Sequence, residues 1–239
     1  MIALDLQSGA IKWTRQVTPG DVYVSNCRAD NPNCPAVNGP DVDFGSPPML
    51  ARANGRDVIV IGQKSGVAFA MDPDKQGEVI WQYRAGQGGT LGGMEWGGAV
   101  DDGRAYFAVS DILTPKPGGL HAVSLATGER MWYAAPPPAA CGTATGCNVA
   151  QSAAVTLIPG VIFSGSSDGA LRAYSTTNGE VLWQYDSNRA FESINGVPAK
   201  GASMIGPGPV VADGMVFANS GYGGFGGRAG NVLLAFGVE

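Results

Sequence analysis

The chain has 239 residues, 44% of them hydrophobic and only 15% charged, with a net charge of -5. That composition excludes a disordered tail, and the acidic balance argues against a nucleic-acid binder, which needs a basic footprint. No apolar run approaches the roughly 18 residues of a membrane helix, and the N-terminus has no charged-then-apolar leader.

In chain order, the first recognisable unit is Ala3-Leu4-Asp5 followed by Gly9 and Trp13. It returns as Ala70-Met71-Asp72 with Gly77 and Trp81, as Ala122-Val123-Ser124 with Gly128 and Trp132, and as Ala173-Tyr174-Ser175 with Gly179 and Trp183. A fifth copy starts at Ala235-Phe236. Self-similarity at such spacing marks repeated supersecondary units. Between the copies lie short apolar runs after turn signals: Val58–Gly62 after Asn54-Gly55, Gly66–Ala70 after Lys64-Ser65, Ala105–Val109 after Asp102-Gly103, Val161–Gly165 after Pro159-Gly160, Ala170–Tyr174 after Asp168-Gly169, and Met215–Ala218 after Asp213-Gly214. Such runs predict hairpins, and no sustained 3.6-residue apolar period predicts helix.

Each unit therefore reads as four strands, the innermost starting near Phe44, Met94, Val149 or Met204. The fold class is all-β, a β-propeller of four-stranded antiparallel blades. Residues 1–239 form one segment, with three complete blades and a partial blade at each end. The repeated Trp packs between neighbouring sheets. Ile11-Lys12-Trp13 joined to the last three strands would close a four-bladed ring. The preferred expectation is about four blades of a ring of about eight. Met1-Ile2 opens inside a repeat, as a piece of something longer would, and an export signal would lie upstream. The missing half would leave open sheet edges.

Four cysteines fall as two close pairs, Cys27 with Cys34 and Cys141 with Cys147. Two local disulfides are expected, which would place the chain in an oxidising compartment such as a periplasm. Zinc is the rival, but His121 is the single histidine and the spacings exceed the usual Cys-x2-4-Cys. There is no Cys-x-x-Cys-His for haem attachment.

The repeat resembles the blades of pyrroloquinoline quinone (PQQ) dehydrogenases. Asn33-Cys34-Pro35, Gly39–Pro47, Gly93-Met94-Glu95-Trp96-Gly97, Ala150–Ala154, Ile158-Pro159-Gly160, Asn195-Gly196-Val197 and the ending Gly221–Phe236 are similar to the polyvinyl alcohol dehydrogenase branch, in the C-terminal half of its propeller. The resemblance implies an oxidoreductase that oxidises an alcohol to a carbonyl by hydride transfer to carbon C5 of a PQQ lying beside calcium. It implies Asp43 as the base and Lys64 as the cation at the quinone oxygens, with Lys64, Glu95, Trp96 and Asn195 on the cofactor side. Lys200 and Ser203 are weaker candidates. Glu95 departs from the family, which has an amide there. The main calcium ligands, the tryptophan under the cofactor, the adjacent-cysteine disulfide and the haem domain of relatives have no counterpart in these residues, so weak PQQ binding by this chain alone is expected. Implied partners are an alcohol, a c-type cytochrome as electron acceptor, and the missing propeller half or a second copy.

The alternative is a non-catalytic propeller serving as a protein-binding scaffold, as in outer-membrane assembly factors. It predicts no shared pocket for Asp43 and Lys64. A nucleotide reading of Gly221–Gly227 fails because no helix is predicted to follow it. There is no Gly-x-Ser-x-Gly elbow, and His121 inside a predicted strand is better read as packed than as a hydrolase base.

Overall fold

In the computed structural model, which describes residues 1–28 and 30–238, nearly all regular structure is antiparallel sheet. Three four-stranded meanders follow one another. The first is β3–β6 (Met49–Ala53, Arg56–Gly62, Val67–Asp72, Glu78–Arg84). The second is β7–β10 (Ala99–Val100, Arg104–Ala108, Leu120–Ser124, Arg130–Ala134). The third is β11–β14 (Thr156–Ile158, Val161–Gly165, Ala170–Ser175, Val181–Asp186). They are preceded by the ribbon β1–β2 (Ile2–Leu4, Ile11–Thr14). A hairpin β15–β16 (Ala190–Glu192, Pro198–Lys200) and the sheet β17–β19 (Val210–Ala212, Met215–Ser220, Val232–Gly237) follow. A single 3-10 turn, Pro73–Lys75, is capped by Asp72, whose carboxylate accepts from the Asp74 N–H. This is the expected propeller architecture of four-stranded blades. The four-bladed closure is not formed: β2 pairs with β1, and β19 has no fourth strand beside it among the described residues.

The blades pack face to face because strand side chains alternate. On β8, Ala105 and Phe107 join Val58, Val60, Ala68 and Ala70 of the first blade. Tyr106 and Ala108 point the other way, towards Ile162 and Tyr174 of the third. Phe163, Leu171 and Ala173 then meet Ala218 and Leu234 of β18 and β19.

The recurring Gly and Trp explain each other at the rim. The Trp81 indole donates to the Leu125 carbonyl at 2.9 Å, and its ring lies 2.6 Å from where a Cβ on Gly128 would sit. Trp132 repeats this in the next blade, donating to the Thr176 carbonyl at 2.9 Å and covering Gly179 at the same 2.6 Å. Each Trp of one blade thus needs the Gly of the next, and Gly128 at φ +74° also occupies left-handed backbone that disfavours a side chain.

The inner strands begin later than the sequence reading placed them, at Met49, Ala99, Thr156 and Val210. The segments before them form a girdle instead. Going along it, the N–H of Lys64 donates to the Asp43 carbonyl, Met94 to Gln63, Ser110 to Gly93, Gln151 to Val109, Ser167 to Ala150, Met204 to Ser166 and Gly221 to Ser203. These bonds alternate within and between blades. Backbone groups whose partners lie in a neighbouring blade cannot also extend an intrablade ladder.

Both disulfides are formed, Cys27–Cys34 and Cys141–Cys147, so the zinc alternative has no thiols left to use.

Candidate functional site

At one step of the girdle the side chains change character. The positions of Lys64, Ser110, Ser167 and Gly221 are equivalent by hydrogen bonding, as are those of Asp43, Gly93, Ala150 and Ser203. In three of the four steps both positions carry small residues. In the first they carry an acid and a base, whose side chains meet at 2.9 Å between Lys64 Nζ and Asp43 Oδ1.

Asp41 completes the arrangement. Its Oδ1 lies 2.7 Å from Lys64 Nζ, and its backbone sits at φ +58°. The left-handed turn at Asp41 lets two carboxylates, two residues apart, reach one ammonium; Asp43 remains largely open to solvent while Asp41 is buried. Burial alone would lower the Lys64 pKa, but hydrogen bonds to Asp41 and Asp43 outweigh it and raise the pKa. For Asp43, burial pushes upward, and the Lys64 hydrogen bond and charge more than reverse this and lower it. Asp43 is thus an ionised, exposed carboxylate with a cation locked beside it.

Asp43, Gly45, Lys64, Glu95, Trp96 and Phe225 lie around one cavity of about 150 Å³. Glu95 and Trp96 reach it through the loop Gly86–Gly93, which Asp111 holds: its carboxylate accepts the N–H groups of Gln87, Gly88 and Gly93 at 2.6, 3.0 and 2.7 Å. Glu95 Oε1 is buried with no hydrogen-bond partner among the described residues. Burial pushes its pKa up to about 7, against the opposing pull of Lys64. Trp96 is 36% exposed, with its ring 5.8 Å from that of Phe225.

The structure therefore brings Asp43, Lys64, Glu95 and Trp96 together. It does not bring Asn195 to them. Asn195 sits in the exposed turn between β15 and β16, where its Oδ1 accepts from Ser193 Oγ at 2.6 Å and from the Val197 N–H at 3.2 Å. That is the ordinary role of Asn in an Asn-Gly turn. Ser203 is buried, donating to the Ser167 carbonyl at 2.6 Å and accepting the Arg228 N–H, and Lys200 lies on β16. Two residues go beyond the sequence-based expectation: Asp41, which pairs with Lys64 beneath the cavity, and Phe225, which lines it. The Asp-x-Asp spacing ahead of an inner strand is the available signal for Asp41. Nothing local marks Phe225.

His121 is packed, as its strand position suggests. Its Nδ1 is 2.9 Å from Tyr83 Oη and its ring centroid 4.6 Å from that of Tyr133.

The successive four-stranded antiparallel sheets define a segment of a β-propeller. A family model described as outer membrane protein assembly factor BamB matches residues 116–236. Two proteins named polyvinylalcohol dehydrogenase match the whole chain, one from Pseudomonas sp at 42% identity and one from Sphingopyxis sp. (strain 113P3) at 39%. The chain spans 39% and 40% of their respective lengths. The quinohemoprotein alcohol dehydrogenase of Comamonas testosteroni superposes over 96% of this chain and 38% of its own, with a TM-score of 0.60 at 18% identity. The chain belongs to the family of PQQ-type β-propellers that the family model describes, and over its whole length it is similar to the proteins named polyvinylalcohol dehydrogenase.

Proposed function

We propose that this chain forms part of a PQQ-dependent alcohol dehydrogenase, and that the Asp43–Lys64 step of the girdle faces the reacting atoms. The carrying observation is the 2.9 Å pair at positions that other blades fill with small residues. Asp43, ionised and accessible, accepts the hydroxyl proton of the alcohol. Lys64 places a fixed positive charge and N–H donors where an oxygen gains negative charge during oxidation. Trp96 offers a flat apolar wall. The bound quinone supplies the two-electron acceptor for the hydride released as the alcohol becomes a carbonyl.

These residues fit the oxygen edge of the quinone and not the whole cofactor. The cavity is about 150 Å³, below the ~300–1,000 Å³ of ordinary small-molecule sites. Among the described residues Lys64 is the one cation lining it, and it already faces two carboxylates, whereas PQQ brings three more. No group of three or more His, Cys, Asp or Glu placed to hold a metal is found among the described residues. The rest of an eight-bladed ring would supply the remaining wall and the calcium ligands, and the isolated chain is incomplete as an enzyme. The relatives named for polyvinyl alcohol support an alcohol as substrate, and a c-type cytochrome is the matching electron acceptor. The disulfides support an oxidising compartment, which for this family is the periplasm.

Calorimetric titration of the chain with PQQ and calcium tests the reading, with weak or undetectable binding expected. Submicromolar binding by this chain alone would overturn the incomplete-site account. In the full-length protein, D43N is expected to abolish alcohol oxidation while PQQ still binds; retained turnover would remove Asp43 as the base. The scaffold alternative draws on the BamB-described match, but residues 116–236 lie outside the Asp43–Lys64 step.

A further inference from the structure

We propose that Asp111, on the second blade, is a positioning residue for the acid–base step: its carboxylate fixes the loop Gly86–Gly93, and that loop fixes the turn carrying Lys64. The proposal rests on the alcohol-oxidising reading of the cavity and adds to it a residue outside the cavity lining.

On one side the loop is held by the segment that follows β8. Asp111 is buried, with left-handed backbone at φ +45°. Its Oδ2 accepts the Gln87 N–H, and its Oδ1 accepts those of Gly88 and Gly93. Two neighbours hold the same loop. Ser110 Oγ donates to the Leu91 carbonyl at 2.8 Å, and Thr114 Oγ1 accepts from Gln87 Nε2 at 3.1 Å. The approach is close: a Cβ on Gly86 would lie 2.7 Å from Asp111 Oδ2.

On its other side the loop holds the turn between β4 and β5. The Gly89 N–H donates to the Lys64 carbonyl at 3.0 Å, and the Met94 N–H to the Gln63 carbonyl at 3.2 Å. A Cβ on Gly88 would lie 2.4 Å from the Ser65 backbone, and one on Gly93 would lie 2.5 Å from the Lys64 carbonyl oxygen. Backbone thus rests on backbone with no side chain between. A displaced loop moves the Lys64 turn, because no rotamer is there to absorb the shift. Thr90 and Leu91 of the same loop line the cavity.

The next blade supplies a comparison. Asp168 follows Ser167 as Asp111 follows Ser110, and it too accepts an N–H from the preceding loop, that of Ala140 at 3.0 Å. Asp168, however, pairs with Arg172 of its own blade at 2.6 Å. Asp111 instead directs its carboxylate at three N–H groups of one loop. The aspartate committed to its loop is the one whose loop reaches Lys64.

The test compares D111N, S110A and W132F, with circular dichroism to establish folding. In D111N one acceptor oxygen remains and an NH2 donor faces the loop N–H groups. S110A removes the Leu91 bond without a change of charge. W132F perturbs the blade rim and serves as the control. Amide exchange in the chain without cofactor is followed by NMR at Gly89, whose bond goes to Lys64 and not to Asp111. Relative to the amides of β9, Gly89 exchange is expected to rise about tenfold or more in D111N and about threefold in S110A, with no such excess in W132F. In the full-length protein with quinone, D111N is expected to lower kcat about tenfold or more and S110A less, with KM changed under about threefold. W132F is expected to keep its kcat. If D111N does not fold, S110A decides both measurements. Gly89 exchange that keeps pace with β9 in the folded variants, or an unchanged kcat, would overturn the proposal. A full-length protein that oxidises no alcohol would end the dehydrogenase reading, and the exchange result would still decide whether Asp111 holds the Lys64 turn.

Discussion

Asp43 and Lys64 are joined twice. The Lys64 N–H donates to the Asp43 carbonyl at 3.1 Å, and Lys64 Nζ lies 2.9 Å from the Asp43 carboxylate. The backbone bond belongs to every blade; the side-chain bond belongs to this one. A generic blade contact has been converted into an acid–base pair without altering the frame, which is how a repeat fold gains a site on a few positions.

Removing Lys64 leaves the buried Asp41 carboxylate facing no cation. K64M is expected to destabilise the chain by about 2–3 kcal/mol, towards the low end for breaking a buried pair because the cluster opens to solvent at Asp43. D43N is expected to cost under about 1 kcal/mol. Urea unfolding of the two variants measures both. Equal costs would mean that Asp41 is not the structural half of the cluster.

Glu95 gives the site a pH signature near neutrality. Its folded pKa is pushed up to about 7 by burial, while the unfolded chain ionises near ~4.3. Between those values the native state holds a proton that the unfolded state has released, so stability falls as pH rises from about 4.5 towards 7. With the carboxyl only partly buried, the loss is expected to be on the order of 1–2 kcal/mol. E95Q should flatten that slope in urea unfolding followed across pH. A slope unchanged in E95Q would place the titration elsewhere.

The blade architecture was legible because its signal is chemical as well as periodic: the Trp of one blade requires the absence of a Cβ in the next, so Gly77, Gly128 and Gly179 recur with the phrase. The inner strand starts were not legible. Met94 and Met204 have the composition of strand residues, yet their N–H groups are used by the girdle, a partner that local propensity does not contain. At the site, the Asp43–Lys64 step was nameable only through family resemblance, since the sequence alone does not align Lys64 with Ser110 and Ser167. Asn195 shows the converse. Its Asn-Gly turn chemistry was visible in the sequence and accounts for its side-chain bonds in the structure.

His121 gives an acid-side signature instead. Burial pulls its pKa down to about 4, with the Arg130 charge adding to the effect. Tyr83, Tyr133, Arg130 and Asp111 are the polar or charged groups around it. Its folded pKa is depressed, so stability held above the unfolded value near ~6.5 is lost as pH falls towards about 4, by roughly 2–3 kcal/mol. H121F, which keeps an aromatic ring beside Tyr133, is expected to remove that acid limb. Persistence of the limb in H121F would assign it to the carboxylates.

The rim contacts give a comparison inside one molecule. Trp132 is buried, donates to the Thr176 carbonyl and covers Gly179. Trp183 occupies the same place in its own blade but is 38% exposed, resting on Tyr185 and Phe236, with no glycine against its ring among the described residues. W132F loses a buried hydrogen bond and part of a close-packed ring, and is expected to cost about 2–3 kcal/mol. W183F, with no such bond and an open face, is expected to cost under about 1 kcal/mol. G128A inserts a methyl into the Trp81 ring at a left-handed position and is expected to cost about 2–4 kcal/mol. Urea midpoints of the three variants rank them. W183F as damaging as W132F would show that the indole stabilises its own sheet, and that the Gly–Trp contact between blades is incidental to the repeat.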